Sequence, residues 1–156
     1  MGLTISAIVI PLKGHAQTNV EVTVDVFQET KTLGDTAGKY LGVICRMNET
    51  TYDSYFLGVT PIGKGMFMAT IIEIQGGKLN FLVQMALLDA PKAKTGDGYT
   101  VRFICQGNKL QIAGGEKVGA EAKDSSYKEG SIALAVYSTG GKALGFFDNL
   151  VVNILP

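Results

Sequence analysis

Residues 19–27, NVEVTVDVF, alternate strictly between apolar and polar side chains. In an extended chain Val20, Val22, Val24 and Val26 fall on one face, and Glu21, Thr23 and Asp25 on the other. A period of two suits a strand with one buried face, and no helix of 3.6 residues per turn can segregate these side chains. The pattern returns in YLGVICRM (40–47), SYFLGVT (54–60), MFMATIIEI (66–74), KLNFLVQMALL (78–88), SIALAVYS (131–138) and LGFFDNLVVNIL (144–155). In YTVRFICQGNKLQIAGGEKVGAEA (99–122) two strands flank QGNK, and a GGEK turn follows. Polar, glycine-bearing breaks separate these runs: ETKTLGDTAGK, NETTYD, PIGKG, QGG, DAPKAKTGDG and KDSSYKEG. Pro61 presets φ for a tight turn, and Gly63 or Gly65 accepts positive φ. QGG between two apolar runs is a hairpin signature. With 20 glycines, 4 prolines and no helical periodicity, the chain reads as an all-β, mostly antiparallel sandwich.

At 156 residues one domain spanning 1–156 is expected, large enough to bury a core. The 14 basic and 14 acidic residues cancel, which leaves none of the basic footprint of a nucleic-acid binder. The two arginines, Arg46 and Arg102, stand far apart in the chain. No apolar run reaches the ~20 residues that a membrane-spanning helix needs. The start lacks a basic n-region and a cleavage site, so no signal peptide is expected. MGLTIS fits the short N-myristoylation pattern, but an ordinary start is the reading adopted. Cys45 and Cys105 are in no C-x-x-C, and each lies in an alternating apolar run. They are read as two buried thiols acting as small apolar side chains rather than as a disulfide.

The second half carries a resemblance. YTVRFICQGNKLQI, AGGEKVGAEAKDSSYKEGSIALAVYS and GFFDNLVVNI, with the earlier GVICRMNETTYDSYFLGVTPIGKG, resemble the strand, Gly-Asn turn, D-S-x-[YF]-x-x-G loop and closing F-D-N-[LV] pattern of concanavalin A-like lectin/glucanase jelly rolls, including laminin-G-like domains. The resemblance covers roughly residues 20 to 155. It implies an antiparallel jelly-roll sandwich and leaves function open, because that fold hosts lectins, hydrolases and structural modules. It also weakly favours an extracellular or cell-surface location. The family opens with a strand that pairs near the C-terminal one. Either residues 3–12 supply that strand here, or the sheet has an edge needing a partner. The resemblance puts Asp148 at the start of the last strand beside a loop, where its carboxylate accepts backbone N–H bonds and fixes that loop. The alternative is a structural calcium ion held by Asp148 with loop carbonyls and Asp25 or Asp124, since calcium takes oxygen ligands.

Catalytic equipment is sparse. GVTPIGKG (58–65) mimics a phosphate loop but has Gly65 where a Ser or Thr should hold Mg²⁺, and a strand follows instead of a helix. His15 is the only histidine, and a loop position is expected for it. That starves a serine or cysteine hydrolase of its base and a zinc enzyme of ligands. The E-x-D-x-x-E motif of the family's glucanases is absent. Glu21 and Asp25 share a face but lie about 13 Å apart along a strand, beyond the ~5–9.5 Å of glycosidase carboxyl pairs. Glu73 is a lone acid on another strand.

The expectation is a non-enzymatic, lectin-like carbohydrate-binding module. If the strands pair as in the family, Arg46, Tyr52, Tyr55 and Arg102 come to one concave face, where aromatic rings and charges meet a glycan. Phe27, Phe56, Phe67, Phe81, Phe103 and Phe147 are assigned to the core. A rival reading is a structural subunit that forms homo-oligomers or filaments through sheet edges. Charge is low, mean hydropathy is positive, and 66–74 and 78–88 are more apolar than a one-sided strand requires. A second alternative is a glycoside hydrolase-related domain cut from a larger enzyme.

Overall fold

The four valines of 20–26 are all at most 2% exposed, as their alternation demands. The computed structural model describes residues 4–10, 19–27, 39–138 and 147–156, with the backbone alone over 4–10 and at 138. His15 lies outside these residues. Among the described residues eleven strands are formed: β1 (Thr4–Ile10), β2 (Val20–Val26), β3 (Lys39–Met47), β4 (Ser54–Gly63), β5 (Met66–Gln75), β6 (Lys78–Asp89), β7 (Tyr99–Gln106), β8 (Lys109–Gly114), β9 (Lys117–Lys123), β10 (Ser131–Ser138) and β11 (Phe147–Ile154). No helix occurs among the described residues. Every pairing is antiparallel, in a six-stranded sheet of order β1-β10-β3-β4-β5-β6 and a five-stranded sheet of order β11-β2-β7-β8-β9. The N-terminal run supplies an edge strand, but it pairs with β10 rather than with the last strand.

The inward faces meet in one core. Val20, Val22, Val24 and Val26 of β2, Val101 and Phe103 of β7, and Leu110 and Ile112 of β8 pack against Val43, Tyr55, Leu57, Phe67, Ile71 and Leu88 of the other sheet. Cys45 and Cys105, 60 residues apart in sequence, are joined by a disulfide through this core, with an S–S distance of 2.03 Å. The expectation of two free thiols is therefore corrected. Alternation put each cysteine inward on its own strand, but their meeting depends on how the sheets stack, which neither strand encodes alone.

A second apolar cluster lies on the other face of the six-stranded sheet. Ile44, Met47, Phe56, Ile72, Ile74, Ala133, Ala135 and Tyr137 are all buried there. This accounts for the doubly apolar character of 66–74: Ile71 faces the inter-sheet core while Ile72 faces the outer cluster. Phe81, assigned to the core from sequence, is instead 44% exposed on β6, with Met85 and Leu87 still more open. Two register shifts in the β5–β6 pairing break the alternation there, so sequence parity no longer predicts the face.

Candidate functional site

The sandwich has an end at which five chain segments converge: Asn19 ahead of β2, the β3–β4 loop (48–53), the β5–β6 turn at Gly76 and Gly77, the β7–β8 turn at Gly107 and Asn108, and the β9–β10 loop (124–130). Arg46 ties three of them together. Strict alternation after Cys45 would turn Arg46 away from the core. However, two residue steps of β10, Ser131 to Ala133, oppose three of β3, Met47 to Ile44. That bulge holds Arg46 at φ 55, in the left-handed region. Gly130 packs on the bulge so closely that a Cβ there would lie 2.5 Å from the Arg46 carbonyl carbon.

So turned, Arg46 is 2% exposed. Its Nη1 donates to the carbonyls of Gly107 at 2.7 Å and Tyr127 at 3.0 Å. Its Nη2 donates to Asn19 Oδ1 at 3.5 Å. Burial lowers the Arg46 pKa, and the nearby Tyr55 opposes this, but a guanidinium stays charged at neutral pH. Asn19 Oδ1 also accepts the Gly107 N–H at 2.8 Å, which fixes the β7–β8 turn from both sides.

The β9–β10 loop is held by two tyrosines. The Tyr55 hydroxyl donates to Asp124 and accepts the Tyr127 N–H at 3.1 Å. The Tyr127 hydroxyl donates to the Ile74 carbonyl at 2.9 Å, and its ring packs on that of Tyr55 with centroids 5.0 Å apart. Burial, and then the hydrogen bond to Asp124, push the Tyr55 phenol up to about 12. Burial alone would raise the Asp124 carboxyl, but hydrogen bonds from Tyr55 and Ser126 outweigh it and hold it below its ordinary value.

Between these segments opens a cavity of about 300 Å³, lined by Arg46, Gly107, Asn108, Ser125, Tyr127 and Lys128. That volume sits at the lower end of the range for small-molecule sites. Its back wall is fixed by the Arg46 and Tyr127 bonds, whereas Asn108, Ser125 and Lys128 are exposed at its mouth. The ring of Tyr52, on the β3–β4 loop at the same end, is open to solvent and outside the cavity lining.

The residues picked from sequence are thus distributed as follows. Arg46 lines the cavity, Tyr55 is buried behind it, and Tyr52 stands beside it. Arg102 is elsewhere, on the outer face of the five-stranded sheet, bonded to Glu21 at 3.1 Å and to the Gly115 carbonyl at 2.9 Å. Of the acids, Asp25 and Asp148 face each other in the β2–β11 register. Asp124 is at the opposite end of the sandwich, bound to Tyr55. Asp25 accepts from Thr100 at 2.6 Å and from the Asn149 side chain at 2.7 Å. Asn149 sits on a bulge at φ 51 and also donates to Thr95 at 3.2 Å, so the asparagine rather than Asp148 reaches the neighbouring loop. Asp148 accepts its neighbour's N–H, from Asn149 at 2.8 Å. No group of three or more His, Cys, Asp or Glu gathers for a metal among the described residues.

Asn108, Ser125, Tyr127 and Lys128 were missed from sequence. Their one signal was the pair of breaks, QGNK and KDSSYKEG, either side of strands that end at the same place.

The architecture matches solved structures. A carbohydrate-binding module CBM66 from Bacillus subtilis superposes with a TM-score of 0.66 at 15% identity, over 95% of this chain and 81% of that one. A double variant of human galectin-16 gives 0.57 at 7% identity, over 97% and 94%. Sheep galectin-11 in complex with glycerol gives 0.53 at 8% identity, over 96% of both chains. The fold is a concanavalin A-like, galectin-type jelly roll. No family model and no curated protein sequence matches the chain. At these identities the likeness concerns the lectin-like fold, and the jelly roll leaves the ligand to be argued from the site.

Proposed function

We propose that this chain is a non-enzymatic glycan-binding module whose ligand docks at the loop end of the sandwich. The observation that carries the reading is the cavity framed by buried Arg46, with Asn108, Ser125 and Lys128 at its mouth. A concave wall of fixed geometry and largely apolar surface suits the apolar face of a sugar ring, the exposed Asn108, Ser125 and Lys128 beside it can meet hydroxyls, and the exposed ring of Tyr52 at the same end offers a stacking surface. Fold-level likeness to a carbohydrate-binding module and to galectins supports the same reading by analogy. Acids are engaged structurally: Glu21 with Arg102, and Asp25 with Thr100 and Asn149. That favours binding over glycoside hydrolysis. A buried disulfide favours an oxidising compartment such as the cell exterior. The test is a glycan array with the purified chain, followed by titration of the best hit into Asn108→Ala. Several-fold weaker binding by the variant is expected. An array without hits, or a variant that binds like the parent, would refute the site.

A second reading, self-association through β6, is favoured by one observation. This edge strand of the six-stranded sheet exposes Phe81, Met85 and Leu87. Light scattering on the parent and on Met85→Lys tests it. A dimer dispersed by the substitution supports the reading, and a monomeric parent ends it.

A further inference from the structure

We propose that Asn48 is an acceptor for N-linked glycosylation, a modification that does not depend on what the cavity binds. Asn48, Glu49 and Thr50 form an N-x-T triplet in which the middle residue is not proline. No other asparagine of the chain has a Ser or Thr two positions on. Such triplets also arise by chance, so the surroundings decide, and two features of them favour the modification.

The first is the loop itself. Asn48 directly follows β3, and residues 48–52 are all exposed. The two ends of its carboxamide are used differently. Oδ1 accepts the Thr50 N–H at 2.9 Å and the Thr51 N–H at 3.1 Å. The main chain closes the loop, with the Asn48 N–H donating to the Asp53 carbonyl at 2.9 Å and the Tyr52 N–H to the Asn48 carbonyl at 2.7 Å. Nδ2 takes no part in these bonds and is carried on an exposed side chain. A sugar on Nδ2 leaves the amide oxygen in place, so the loop keeps every one of them. Thr50 gives the turn only its backbone N–H, and its hydroxyl stays out of it.

The second is the compartment. Cys45, three residues before Asn48, is bonded to Cys105. Disulfides form in the oxidising lumen of the secretory pathway, where asparagine-linked sugars are also attached. The donor is an oligosaccharide carried on a polyprenyl diphosphate. Asn48 Nδ2 bonds to its anomeric carbon as the bond from that carbon to the diphosphate oxygen breaks. The lipid diphosphate leaves with that electron pair, and Nδ2 passes one proton to a base of the transferring enzyme.

The experiment produces the intact chain in cultured animal cells behind a cleavable secretion leader. Its mass is read from medium and lysate, before and after treatment with peptide N-glycosidase. A mass above the 16.6 kDa of the polypeptide is expected, falling back to it on treatment as Asn48 becomes Asp. Treatment in heavy-oxygen water should label position 48 alone. Thr50→Ala removes the hydroxyl that the transferring enzyme reads and keeps the Asn48 Oδ1 bonds, so it should appear at the polypeptide mass. Thr50→Ser should carry the sugar again. A parent chain whose mass the enzyme leaves unchanged in both fractions overturns the proposal, as does a sugar that persists in Thr50→Ala.

Discussion

At the residue scale the site depends on Tyr55. It is fully buried, and its hydroxyl links β4 to the β9–β10 loop through Asp124 and the Tyr127 amide. Removing that oxygen in Tyr55→Phe leaves a polar group without its partner, at a cost of about 1–3 kcal/mol in chemical denaturation. A loss near zero would mean that the loop is held by other contacts. The same residue sets an alkaline limit. The phenols of Tyr55 and Tyr127 are pushed up to about 12, each by burial first; Asp124 adds to the shift at Tyr55, and the charge of Asp53 to that at Tyr127. In the unfolded chain tyrosine ionises near pH ~10. Between about 10 and 12 the unfolded state has therefore lost protons that the folded state keeps, so stability falls as pH rises through that window. Melting followed by circular dichroism should show a decline across it, shallower in Tyr55→Phe. An identical slope in both proteins would contradict this.

At the element scale the link between sheets is the Cys45–Cys105 bond, joining β3 to β7. It lies next to the cavity on both sides, because Arg46 follows one cysteine and Gly107 comes two residues after the other. Closing a loop of this length restricts the unfolded chain by about 4 kcal/mol. Replacing both cysteines by alanine should shift the guanidinium unfolding curve by close to that amount. A shift under about 1 kcal/mol would show that the sheets hold without the link. Strands were legible in the sequence because burial repeats every second residue, as in 20–26, and that periodicity is local. Departures from the period were not legible. The bulge that turns Arg46 is defined by the β10 register, and the one that places Asn149 by β2. On β6, two shifts against β5 put Phe81 at the surface. Each of these is a long-range pairing, so the site residues held on loops, Asn108, Ser125 and Lys128, had no periodic signature to find.

At the scale of the molecule the two outer faces are unlike. The six-stranded sheet carries a buried apolar cluster around Phe56 and Ile72. Its five-stranded counterpart carries the Glu21–Arg102 pair and the Asp25, Thr100 and Asn149 bonds. Those acids are satisfied by protein donors, and Asp124 is at the far end from Asp25 and Asp148. EDTA should therefore leave the melting temperature unchanged, and a clear drop would mean that Asp25 and Asp148 share a cation. The proposed function assigns ligand recognition to the loop end, where Arg46 and the two tyrosines fix a wall that three different loops share. The most direct test is amide chemical-shift mapping during titration with the best array hit. Perturbations should gather at Gly107, Asn108 and residues 125–128. Shifts concentrated instead on the outward face of β3, β4 and β5, with the loop end silent, would contradict the account.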